Sequence, residues 1–238
     1  MIAPPAGAGA ATTCEAGAIL LLLQQGDSAY PSGGFAFSWG IEGLAADGFI
    51  RDGAGLNAAV AEHLEMRWQV MDRILLRRAW AGLCGEDWRA ALARQDAECE
   101  ALTPVAEMRE GSRRAGRALL GIAARRFPGG RAALWRGEAP HGHLPVAQAL
   151  AWREAGLDLA GAELLSGWTL ATGLVSAALR LGLVGHVDAQ ASLDAARSRL
   201  SQLLADEPAP DAELWSFTPL IDIAVARGPA RALRMFTT

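Results

Sequence analysis

The chain has 238 residues, 51% of them hydrophobic, and a formal net charge of −4. That length suits one or two domains with a sizeable core, and the acidic balance excludes a general nucleic-acid binder, which needs a basic surface. All 22 basic residues are arginine, and the three cysteines, Cys14, Cys84 and Cys99, are too few and too scattered for a disulfide framework.

The N-terminus, "MIAPPAGAGAATTCEAG", has no Lys or Arg ahead of the apolar run, so it lacks the charged start of a signal peptide. Residues 1–15 are small and Pro/Gly/Ala-rich and read as a flexible segment, with one helical domain over 16–238. A cytoplasmic protein is expected. A first helical pattern covers 16–25. After it comes "GDSAYPSGGFAFSWGIEG", Gly26 to Gly43. A phosphate loop would need Gly-x4-Gly-Lys-Ser/Thr, and the chain has no lysine. A dinucleotide fingerprint needs Gly-x-Gly-x-x-Gly after a strand, and no strand pattern precedes. The stretch reads instead as a connection between helices. Pro31 fixes its backbone, and Gly33 and Gly34 allow positive φ. Ser38 is the expected N-cap of a helix over 39–47, with Glu42 suited to its positive end.

Apolar residues at Leu56, Val60, Leu64, Trp68, Met71, Leu75 and Ala79 predict one long amphipathic helix. A shorter pattern covers 87–101. Val105, Met108, Ser112, Ala115, Leu119 and Ile122 predict another long helix, which also carries Arg109, Arg113, Arg114 and Arg117. That basic stripe fits a solvated face with local Glu partners or a docking stripe for an acidic partner. "FPGG" at 127–130 and "RGEAPHGHLP" at 136–145 are breaks. A short helix follows over 145–155. The stripe Leu157, Gly161, Leu164, Trp168, Thr172, Val175 and Leu179 predicts a third long helix that a neighbour approaches at Gly161 and Gly173. Its uncharged part, Leu164 to Leu179, falls short of the roughly 18–20 apolar residues of a membrane span, so it reads as a core helix. Patterns over 189–205 and 212–226 close the chain, separated by "DEPAP". The fold class is all-α, a single-domain bundle of about nine or ten helices.

Chemistry-bearing residues are sparse. His141 and His143 can chelate a borderline metal ion, but no third ligand lies near them in sequence, and a structural site normally offers four. Cys84 and Cys99 fit as small buried hydrophobes. No nucleophile–base pair stands out.

Several blocks resemble the urease accessory protein UreF family. "LLQQGDSAYPSGGFAFSWGIEG" is similar to its N-terminal signature at Asp27, Ser28, Pro31, Gly33, Gly34, Phe35, Ser38, Gly40 and Glu42. "EMREGSRRAGRALL" resembles its Arg-x-x-Ser-x-x-x-Gly-Arg helix at Arg109, Ser112, Gly116 and Arg117. "HLPVAQALA", "LVSAALRLGLVGHVDAQ" with Arg180, and "FTPLIDIAVAR" with Pro219, Asp222 and Ala224 continue the likeness over about 18–236. His186 stands where the family usually has Gln, and "RGPARALRMFTT" replaces a longer, more polar tail. The resemblance implies an all-helical homodimer without catalytic activity. Such a protein bridges UreD (also called UreH) and the GTPase UreG in delivering nickel to apo-urease, with nickel and GTP held by UreG and no cofactor of its own. It places partner contacts at Pro31, Gly33, Gly34, Phe35, Ser38, Gly40, Glu42, Arg109, Arg117, Arg180 and Asp222. Two alternatives remain: a helical interaction module unrelated to urease, and a helical enzyme working through Glu42, Asp222 and His143.

Overall fold

The computed structural model describes residues 8–30, 37–228 and 235–236, and among these every regular element is helical. In chain order they are α1 (Ala8–Gly26), α2 (Ile41–Ala46), α3 (Gly53–His63), a π-helical segment (Leu64–Asp72), α4 (Arg73–Gly82), α5 (Trp88–Leu102), α6 (Ala106–Arg126), α7 (Arg131–Glu138), α8 (Leu144–Ala155), α9 (Leu159–Arg180), α10 (His186–Ala205) and α11 (Pro219–Ala226). Counting the continuous α3–π–α4 run as one, the described residues form 10 helices.

Local chemistry explains several of the boundaries. The Asp52 carboxylate accepts the Gly55 N–H at 2.9 Å and opens α3, and Asp158 accepts the Gly161 N–H at 2.7 Å and opens α9. Gly156 closes α8 in the left-handed region at φ 98°. Pro145 and Pro219 sit in the first turns of α8 and α11, where the missing N–H costs nothing.

Two long helices organise the packing. The α3–π–α4 run and α9 lie against each other and span two apolar cores. One core gathers α2, α3, α10, α11 and the C-terminal half of α9; the other gathers α4 to α8 and the N-terminal half of α9. The expected stripe from Leu56 to Ala79 is buried throughout, and each such leucine contributes about 1.5–3 kcal/mol of transfer free energy. At the crossing, the Trp68 indole N–H donates to Ser166 Oγ at 2.9 Å. A Cβ on Gly167 would stand 2.9 Å from Trp68 and 2.5 Å from Leu200. Close approach on α9 is therefore made at Gly167. Gly161 meets Leu22 of α1 at ordinary distance, and Gly173 has no atom within 4 Å of a built Cβ.

Three boundaries differ from the sequence expectation. Helix α2 starts at Ile41, capped by Gly40 at φ 96° without any side-chain bond, and Ser38 contributes only its carbonyl, which accepts the Ile41 N–H at 3.1 Å. Trp39, at φ 51°, is the reason: two successive left-handed residues cannot begin a right-handed helix. Residues 131–138 form α7, which the adjoining Gly/Pro breaks concealed; its Ala132 and Trp135 are buried against the second core. Only Pro219–Ala226 of the expected 212–226 pattern is helical, and the stretch 212–218 lies outside any helix. Its Trp215 and Phe217 N–H groups donate to the Val70 and Met66 carbonyls of the π segment, at 3.4 and 3.0 Å.

Candidate functional site: the loop–terminus end of the bundle and the cavity beneath it

The glycine loop re-enters the described structure at Phe37. Phe37 and Trp39 pair at 5.6 Å, and both rings lie against Gly111 of α6, where a Cβ would come within 3.2 Å of Phe37. Gly40 is held as closely, since its Cβ would be 2.9 Å from Ile221 of α11. With φ positive as well, only glycine suits this position. Pro31, Gly33, Gly34 and Phe35 lie outside the described residues.

Glu42, one residue into α2, accepts the Met235 N–H at 2.6 Å and the Phe236 N–H at 3.4 Å. Phe236 is buried, and the Arg180 guanidinium lies 4.3 Å from its ring centroid. Arg180 also donates from Nε to the Ser176 carbonyl at 3.4 Å, closing the last turn of α9. Burial lowers its pKa. Asp222 lies in the first turn of α11, beside Ile221. Burial raises its carboxyl pKa, while Arg67 and a hydrogen bond to Thr218 oppose the rise. Gly40, Glu42, Arg180 and Asp222, far apart in sequence, are thus carried by three helices, α2, α9 and α11, at one end of the bundle.

The arginines of α6 divide. Arg109 donates to the Thr103 and Pro104 carbonyls at 2.7 and 2.9 Å and pairs with Glu100 at 3.2 Å. Arg113 grips Glu100 with two bonds of 3.0 and 2.6 Å, and Arg114 pairs with Glu110 at 2.7 Å. Arg117 is exposed, its stem against Gly142.

The His-Gly-His loop rests on the same acid. His143 contacts Glu100 through Nε2 at 2.8 Å and Ser112 Oγ through Nδ1 at 3.1 Å, so both its ring nitrogens are engaged. Burial holds its pKa below the ordinary value. Asp96, wholly buried, accepts the backbone N–H groups of His141, Gly142 and His143 at 2.8–2.9 Å. A Cβ at Gly116 would stand 2.1 Å from the Gly142 carbonyl oxygen. No group of three or more potential metal ligands exists among the described residues. Asp96 and Glu100 escaped the sequence reading; their one signal is the four-residue spacing that sets both on one face of α5.

Beneath this end lies a cavity of about 730 Å³, lined by residues 25–28 and Tyr30 and by the Thr169–Arg180 face of α9. The π segment forms its far wall. Nine residues separate His63 from Asp72, about two and a half turns of a regular α-helix, which would set them on opposite sides. The wider i→i+5 turns bring His63, Arg67, Trp68 and Asp72 to one wall. Burial lowers His63 to a pKa of about 4; Arg67 adds to this and the Trp39 carbonyl opposes it. Burial raises Asp72 despite its 3.4 Å ion pair with Arg67.

The fold and this end of it define an all-helical bundle with a largely apolar cavity and with apolar side chains left outside on α1 and on the 212–223 stretch. The family model described as UreF matches residues 50–197. Proteins named urease accessory protein UreF are similar over nearly the whole chain. One from Trichodesmium erythraeum is 31% identical, covering 91% of this chain and 95% of its own. One from Cereibacter sphaeroides is 34% identical over 93% and 99%, and one from a Methylobacterium species is 36% identical over 91% and 87%. The chain belongs to the urease accessory protein UreF family.

Proposed function

We propose that the chain acts in urease maturation as an adaptor without catalytic activity, working in the cytoplasm. In this reading it bridges a UreD/UreH-type protein and a UreG-type GTPase during nickel delivery to apo-urease, and it does so as a homodimer. Nickel and GTP belong to the GTPase partner. The observation that carries the reading is end-to-end similarity to named urease accessory proteins, combined with large apolar side chains left exposed. Ile19, Leu20 and Leu23 protrude from α1, and Trp215, Phe217, Leu220 and Ile223 form a second set. Contacts to partners are assigned to the end of the bundle that carries the glycine loop, Glu42, Arg180 and Asp222, with Arg109 and Arg117 beside it.

Arg180 tests the assignment. Its bonds to Ser176 and its place over Phe236 predict that Arg180→Ala costs about 0.5–1 kcal/mol of stability. If Arg180 is also a contact, the variant loses the UreG-type partner in a pull-down and keeps the UreD-type one. Retention of both partners, beside a thermal melt showing an intact fold, overturns the interface.

A further inference from the structure

The basic stripe of α6 resolves into two parts. Arg109, Arg113 and Arg114 are engaged by Glu100 and Glu110. Further along, the pairing stops. Among the described residues the arginines without an ion pair or hydrogen bond are Arg94, Arg117, Arg125, Arg126 and Arg136, and all but Arg94 belong to α6 or α7. Arg126 lies 5.2 Å from the Phe127 ring centroid. Arg117, Arg125 and Arg136 are exposed, and they form a line. Arg117, Gly121 and Arg125 follow one another at four-residue intervals on one face of α6. A Cβ at Gly121 would lie 3.9 Å from Arg136 Nε, so the Arg136 side chain of α7 reaches α6 between the other two. Three cations thus stand at intervals of about 6 Å, four residues of helical rise each. The acids around them are engaged elsewhere or distant. Glu110 pairs with Arg114, Glu138 with Arg89 at 2.7 Å, and Glu154 accepts the Ala132 N–H at 3.0 Å. Glu107 stands about 15 Å from Arg117 along the axis.

We propose that this α6–α7 ridge docks an acidic helical segment of a partner protein, whose carboxylates, four residues apart, meet Arg117, Arg136 and Arg125 in turn. Charge complementarity selects the sign: cations this close, with no acid of the chain between them, take their carboxylates from outside. The spacing selects the form. Carboxylates at i, i+4 and i+8 of a helix rise by the same interval of about 6 Å. An extended strand repeats at nearly that interval. The ridge, however, is made of two helices and offers no strand edge to receive a strand's backbone, whereas a helix bonds its own. The chain as a whole carries a net charge of −4, which repels an acidic partner elsewhere and orients it on the ridge. The same charge disfavours a nucleic acid, whose phosphates need a wider basic surface. The inference rests on the adaptor reading for the existence of a protein partner, and it adds Arg125 and Arg136 to Arg117 and names the chemistry that meets them.

The test uses the purified full chain and a fluorescein-labelled Ala/Gln peptide with a glutamate at every fourth position, so that its carboxylates share one helical face. The control is an isomer of the same composition whose glutamates are scattered around the helix. Binding is read by fluorescence anisotropy at about 20 mM ionic strength, where a Debye length of about 20 Å leaves exposed charges effective. The expected result is saturable binding of the first peptide, weaker binding of the isomer, and loss of binding at about 0.5 M salt. Arg125→Gln and Arg136→Gln each weaken binding by about twofold to fivefold, the contribution of one exposed ion pair. Arg94→Gln, on α5, leaves it unchanged. All three positions are exposed, so the variants keep the fold. The proposal is overturned by the absence of saturation up to about 1 mM peptide. Equal binding of the isomer, unchanged affinity in Arg125→Gln and Arg136→Gln, or an equal loss in Arg94→Gln overturns it as well. Tighter binding of a uridine oligonucleotide in the same buffer overturns it in favour of a phosphate backbone. Because only the purified chain and a peptide are present, failure here leaves the Arg180 pull-down free to decide the adaptor reading.

Discussion

Gly116 shows how much a single missing side chain can decide. Its Cα faces the backbone of the His-Gly-His loop, and a methyl there would sit 2.1 Å from the Gly142 oxygen and 2.8 Å from the His143 carbonyl carbon. Neither neighbour is a flexible side chain, and the loop is pinned from the other side by Asp96. Gly116→Ala is therefore expected to lower stability by about 1–3 kcal/mol or more through overpacking, seen as a drop in Tm; an unchanged Tm would show that the loop yields. His63 makes a second residue-scale case. Its pKa, ordinarily 6.5, is lowered to about 4 in the fold, first by burial and then by Arg67. Between those values the unfolded chain takes up a proton that the folded chain refuses. Stability is thus greatest above pH 6.5 and declines as pH falls toward 4, by on the order of 3 kcal/mol from this group. Urea unfolding of the wild type and of His63→Asn between pH 7.5 and 4.5 checks this, with the variant giving the flatter curve. Superimposable curves would remove His63 from the account.

At the scale of elements, α4 and α9 are joined by a buried ionic cluster. Glu163 accepts from Arg73 Nε at 2.6 Å and from Arg77 Nη1 at 2.8 Å. Arg73 Nη1 also donates to the Leu203 and Asp206 carbonyls, at 2.8 and 3.0 Å, closing the C-terminus of α10. Arg73 is 2% exposed, so removing its counter-charge leaves a cation without compensation. Glu163→Gln should cost about 3–5 kcal/mol. Glu138→Gln breaks the exposed Arg89 pair and should cost under about 1 kcal/mol. Denaturant midpoints of the two variants settle the contrast, and equal losses would contradict it. The π segment is the other decision at this scale. Its apolar stripe is compatible with an ordinary α-helix, and two of its carbonyls, those of Met66 and Val70, accept from the irregular 212–218 stretch.

For the whole molecule the question is what covers the apolar side chains left outside. Ile19, Leu20 and Leu23 on α1 are 51%, 65% and 64% exposed, a short row in which Leu23 lies one turn beyond both Ile19 and Leu20. Self-association through that row fits the homodimer of the proposed function. A Leu20→Glu, Leu23→Glu double variant is expected to keep its helical circular dichroism and to shift light scattering toward a monomer. An assembly state unaffected by two buried charges would place the contact elsewhere. Helix α9 belongs to this scale too: it is long and apolar enough to cross a membrane, yet 56% of its most apolar window is buried in the bundle, where both cores use it.

From the sequence alone came the helical class, the three long helices, and the core stripe from Leu56 to Ala79. These depend on the 3.6-residue period, a property of neighbouring residues that needs no tertiary partner. The resemblance to the UreF family was legible for a similar reason, since its motifs are contiguous blocks. Only the tertiary structure decided what the polar residues do. Glu42 was read as a helix-end carboxylate and holds the chain at Met235 and Phe236. His141 and His143 were read as weak metal candidates and lie in a network whose acids, Asp96 and Glu100, come from a helix more than forty residues away. Ser38 was read as a cap, and the positive φ of Trp39 displaced it. Hydrogen bonds and ion pairs are made with whatever the fold brings within about 3 Å, and no periodicity in the chain records which residues those will be. The cavity is the furthest case, since its lining residues come from α1, the π segment, α8 and α9, which no period in the chain relates to one another.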